Sequence, residues 1–197
     1  MDLLLPGVPS FDIDIACYCF HCNCTILAKE LSRAFRYSIV GQGVGPQSAV
    51  ISKGTIRILK YYGSEWSVIL PVISGWSILH TEERTLPSAI SRSLTVDALS
   101  LIISDTASGA EYRHYRDGEM VESLRVEEGE VNFESQLRTL PEESLGYDTV
   151  DEKVRELGII PPLFSTLHDE VGQVIQSLEK IDVNWKLIAE ACILHKV

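Results

Sequence analysis

Four of the chain's five cysteines and one of its five histidines fall within eight residues, as Cys17, Cys19, His21, Cys22 and Cys24. Soft ligands at this density could hold zinc or another soft metal, or could support thiol redox chemistry. A closed zinc site usually draws on two separated Cys-x-x-Cys pairs, and only Cys19 and Cys22 have that spacing. Cys17 and Cys19 share a strand face with Ile13 and Ile15, so they read as small buried hydrophobes. Cys22 and Cys24 stand where a strand gives way to a helix, whose N-terminal N–H groups lower a thiol's pKa, and are expected to be the more reactive pair. Clustered cysteines with Cys192 far away make no disulfide framework. The expectation is reduced thiols and no cofactor.

The second chemical feature is acidic. The chain carries 28 Asp and Glu against 17 Lys and Arg, a net charge of -11. Residues 111–156 hold 14 of the acidic groups and 6 of the basic ones, so most of the excess sits in that segment. Nucleic acid and anionic membranes require a basic face and are excluded as expected partners. A solvated surface accounts for such a run. The sharper reading is an exposed acidic face around Glu119, Glu122, Glu127, Glu128, Glu130 and Glu134 that meets a basic protein.

Other patterns carry less. Gly41, Gly43 and Gly45 follow a strand as in a dinucleotide loop, but Pro46 and a further β run replace the helix that would hold a pyrophosphate. Tyr112, His114 and Arg116 alternate with Arg113 and Tyr115, which cross-strand pairing with neighbouring glutamates explains. Asp105 lies in ordinary turn sequence, and His21 and His80 read as hydrogen-bonding residues at strand ends. No phosphate-binding loop, nucleophile elbow or His-Glu-x-x-His is present.

The elements that must position these residues follow from period. Phe11–Phe20 alternates as a strand, Asn23 caps a helix over 24–36, and Tyr37–Val40 resumes a strand that the glycines interrupt. Ala49–Ser52, Thr55–Tyr61 and Trp66–Ile73 read as further strands. Trp76–His80 is strand-like and a helix over 86–95 follows, with Pro87 in its first turn. His21 with Leu31–Phe35 and His80 with Ile90–Leu94 share one spacing, which suggests a weak internal repeat of 11–73 in 74–137. Leu99–Ser104, Glu111–Arg116, Glu119–Val126 and Glu130–Leu137 complete a meander turned at Asp117-Gly118 and Glu128-Gly129. A surface linker over 139–146 leads to a helix capped by Thr149 and Glu152 with Val150, Val154 and Leu157 inward, and helices over 165–180 and 183–195 end the chain.

The fold expected is α+β: a mainly antiparallel sheet covered on one face by helices. An α+β domain spans 1–138, and 139–197 forms a linker and helical segment packed on the same body. A 45% hydrophobic, 23% charged chain has the material for such a core, and disorder is not expected. With no apolar run long enough to span a membrane and no signal-like start, the expected location is the cytoplasm. Three classes of function fit: a noncatalytic interaction module of adaptor or immunity-like character, which is favoured; a metal or thiol redox protein using the Cys17–Cys24 cluster; and an enzyme whose site is assembled from separate loops.

Overall fold

In the computed structural model, residues 15–44, 55–71, 86–104, 109–159 and 189–196 are described. They build one nine-stranded sheet in which every pairing is antiparallel. The strands are β1 Ile15–Phe20, β2 Tyr37–Val44, β3 Thr55–Tyr61, β4 Ser67–Pro71, β5 Ala98–Ser104, β6 Gly109–Arg116, β7 Glu119–Glu127, β8 Glu130–Ser135 and β9 Ala189–Lys196. Their spatial order is β2-β9-β3-β4-β1-β5-β6-β7-β8. The helices are α1 Cys24–Phe35, α2 Leu86–Leu94 and α3 Tyr147–Glu156.

Strand alternation divides the core into two clusters. Cys17, Cys19, Leu59, Tyr61, Val68, Leu99, Leu101, Tyr112 and Leu124 belong to one, which α3 joins through Val150 and Val154. Tyr18, Phe20, Ile58, Ile69, Cys192 and Leu194 belong to the other, with Leu27, Ala28 and Leu31 of α1 and Ile90 of α2. Neighbouring residues of one strand serve opposite clusters because side chains alternate across a sheet.

Local chemistry sets the connections. Asn23 accepts a hydrogen bond from Thr25 N at 2.8 Å and starts α1, while Arg36 leaves it in the left-handed region at φ 57°. The turns Asp117-Gly118 and Glu128-Gly129 have φ of 52° and 83°, and 50° and 86°, the paired positive angles of a tight hairpin. α2 docks on the first of these turns: Ser88 Oγ donates to Gly118 O at 2.6 Å, and Gly118 N donates to Ser91 Oγ at 3.1 Å.

Three expectations require correction. The helix expected over 183–195 is replaced from Ala189 by strand β9, which lies between β2 and β3. Ala191 enters one cluster, Cys192 and Leu194 the other. A strand dry on both faces loses the alternation that distinguishes it from a buried helix. The glycines after Val40 do not end β2; the strand continues to Val44 through register shifts at Ile39/Gly41 and Gln42/Val44. The third correction concerns α3, which begins two residues before Thr149: that hydroxyl accepts from Gly146 N at 3.1 Å, and Gly158 follows the helix at φ 68°. The expected strands at 49–52 and 76–80 and the helix at 165–180 lie outside the described residues. Among the described residues no helix is long and apolar enough to cross a membrane.

Candidate functional site

The acidic segment occupies the β6-β7-β8 end of the sheet, and β8 is the edge strand. Glu119, Glu127, Glu128, Glu130 and Glu134 are exposed. Glu119 reaches Arg92 of α2 at 3.1 Å, and Glu127 pairs with Arg125 of its own strand. Glu130 lies directly opposite Glu127 across the hairpin, with Glu128 in the turn between them. Like charges facing across a strand pair oppose folding, so this tip concentrates negative potential at a small cost in stability. Glu134 lines a shallow groove of about 270 Å³ together with Glu111, Arg113, Ser123, Arg125 and Asn132.

Glu122 departs from the expected face. It shares strand parity with Leu124 and Val126, and its side chain is fully buried. Lys153 of α3 places Nζ 2.8 Å from Oε1, Tyr112 Oη donates to Oε1 at 2.8 Å, and Ser135 Oγ donates to Oε2 at 2.9 Å. Arg138 adds Nε to Oε2 at 3.1 Å and Nη2 to Oε1 at 3.3 Å, so the chain is anchored inside just before the expected linker begins. Burial pushes the Glu122 carboxyl up, but the hydrogen bonds from Lys153, Tyr112 and Ser135 outweigh it and hold the pKa at about 2.

Beside this network, His114 Nε2 lies 3.1 Å from Asp97 Oδ2, and Arg116 grips both oxygens of Asp97 at 3.1 and 3.0 Å. His114 Nδ1 is buried and has no hydrogen-bond partner among the described residues. Burial and the nearby Lys153 cation keep the imidazole below its ordinary range, against the pull of Asp97. A carboxylate saturated with donors is a poor proton carrier, whereas it fixes α3 on the sheet through Lys153.

The cysteine cluster separates in space. Cys17 and Cys19 are buried side by side, as expected, with sulfurs 3.8 Å apart. Cys24 belongs to the opposite cluster, where its sulfur lies 3.5 Å from that of Cys192. His21 is exposed, joined to Glu65 at 2.9 Å, with its ring 5.2 Å from that of Trp66. The set Cys17, Cys19, His21, Cys22 and Cys24 is therefore not gathered around one point, and no group of three such ligands converges on a metal position among the described residues. The expected activation of Cys22 also fails: burial outweighs the Lys60 cation and pushes its thiol up to about 11. Cys24 is raised as well, first by its Cys192 contact and then by burial. Cys192 falls in the segment whose spacing predicts a helix; strand parity with Leu194 is the signal that places it in this core. Comparison with protein families, curated proteins and solved structures returns no match to this chain.

Proposed function

We propose that the chain is a noncatalytic protein-binding module whose β7-β8 end docks an extended basic segment of a partner protein. The observation that carries this reading is the coincidence of the acidic tip with an edge strand. No described strand pairs the outer side of β8. Across a two-residue turn Glu127 and Glu130 form a hydrogen-bonded pair, so Val131 and Phe133 direct their backbone N–H and C=O outward. An incoming strand would satisfy those groups, while Glu128, Glu130 and Glu134 attract its Lys and Arg side chains. In this reading α1 and α2 cover one face of the sheet, and the outer edge of β8 is left open.

The test begins with a photo-crosslinking residue at Glu130 to identify the partner, whose binding kinetics are then followed against salt. Association is expected to slow as ionic strength rises, and the combined reversal Glu128→Lys, Glu130→Lys and Glu134→Lys should lower the association rate on the order of tenfold or more. Val131→Pro should abolish strand addition while the protein stays folded, because an outward-facing edge N–H is dispensable to the sheet. A salt-insensitive complex, or one indifferent to both variants, would show that the acidic end only solubilises the protein.

A further inference from the structure

We infer that Cys24 and Cys192 form a redox-active dithiol that a hydroperoxide converts to a disulfide, joining the N-terminus of α1 to β9. The two sulfurs are 3.5 Å apart across 168 residues of chain, and each side chain is buried. Closing that gap to a bond of about 2 Å requires little more than rotation of the two side chains. Cys17 and Cys19 are nearly as close, but they sit two residues apart on one strand, where neighbouring side chains of one face are held parallel and resist bonding.

The surroundings of Cys192 supply what an attacking thiolate needs. Thr25 and the Gly43 backbone hydrogen-bond its sulfur. Gln42 Nε2 donates to Thr25 Oγ1 at 3.0 Å, which leaves the Thr25 hydroxyl proton free to point at sulfur. Led by the Cys24 contact, these bonds outweigh burial and draw the Cys192 thiol below its ordinary range, toward the thiolate. Thr25 and Glu190 are partly exposed and Gln42 and Gly43 exposed, so the buried pair is flanked by residues that reach the surface.

The chemistry balances with the peroxide as oxidant. Cys192 thiolate attacks one peroxide oxygen; an S–O bond forms, the O–O bond breaks, and the departing alkoxide or hydroxide takes a proton from solvent to give a sulfenic acid. Cys24 sulfur then attacks the sulfenic sulfur, forming the S–S bond as water leaves. Glu190, whose Oε1 lies 3.3 Å from the Cys24 sulfur, takes the thiol proton and passes it to the departing hydroxide, which leaves as that water. Two thiols lose two electrons in all, and the peroxide is reduced to water and an alcohol, or to two waters when it is hydrogen peroxide.

The site is independent of the binding reading, because β9 lies next to one edge of the sheet and β8 forms the other. Folded protein is treated with hydrogen peroxide, unfolded with N-ethylmaleimide present, digested and mapped by mass spectrometry. The expected result is one cross-linked peptide containing Cys24 and Cys192, reversed by dithiothreitol, with Cys17 and Cys19 alkylated. In Cys24→Ser, dimedone should label Cys192; in Cys192→Ser, Cys24 should remain unlabelled. Complete alkylation of Cys24 and Cys192 under conditions that oxidise Cys22 would overturn the assignment, as would a disulfide joining either one to a different cysteine. The wild-type map decides the matter even where a serine variant does not fold.

Discussion

Glu122 lies under a helix with four side chains donating to its two oxygens. Removing one partner of such a pair strands the others in a dry site. Glu122→Ala, which leaves Lys153 and Arg138 facing a void, should cost about 3–5 kcal/mol in urea unfolding. Acid acts on the same groups. The unfolded carboxyl titrates near 4.5 and the folded one at about 2, so the stability it supplies is complete above 4.5 and lost as pH falls toward 2. His114 adds to this, because the folded imidazole titrates below its ordinary 6.5 and the unfolded chain takes up its proton first. Stability should therefore decline with acidification in two stages, from about pH 6.5 and again below 4.5. Unfolding free energies measured across pH should show a smaller lower stage in Glu122→Gln, where Asp97 and Glu30 still contribute, and a smaller upper one in His114→Gln. The inward position of Glu122 was readable from strand parity, because 122, 124 and 126 alternate together. Net charge drew attention to the acidic run and concealed that parity.

At the scale of elements, the hairpins were the most legible part of the sequence, since Asp117-Gly118 and Glu128-Gly129 encode their turns locally. Those two turns also separate a turn's own requirement from what it packs against. At Gly129 an added Cβ would meet nothing within 4 Å, whereas at Gly118 it would lie 2.6 Å from Arg92 Nε and 2.7 Å from Arg92 Cβ. Gly129→Ala should cost only the left-handed backbone term, roughly 1–2 kcal/mol. Gly118→Ala carries that term and also forces α2 away from the turn, breaking the Ser88 and Ser91 contacts, so it should cost about 1–3 kcal/mol more. Thermal or urea unfolding of the pair measures the difference, and equal losses would mean that α2 yields freely. Position 118 was recognisable as a turn, but its contact with Arg92 was not, because that contact depends on a helix brought in from a different part of the chain. β9 escaped recognition for a related reason: its identity is set by β2 and β3 on either side of it.

At the scale of the molecule, the sheet is completed by its most distant strand in sequence. β9 hydrogen-bonds to β2 along one side and β3 along the other, and α1 packs on all three. The β5-β8 meander, by contrast, is built from consecutive antiparallel strands. Sheets closed by non-local pairs pay loop-closure entropy before the pairs form, so the meander is expected to organise first and β2, β3 and α1 to await the C-terminal strand. Deleting residues 189–197 should then remove hydrogen-exchange protection from 37–44, from the β9-facing amides of 55–61 and from much of α1, while 109–135 keeps most of its own. A synthetic peptide spanning 187–197 added in trans should restore protection in β2 and β3, because the vacated position offers a backbone ladder on both sides and apolar neighbours on both faces. Undiminished protection in the truncated protein would mean that β2 and β3 find each other without β9, and that the last strand is dispensable to the sheet.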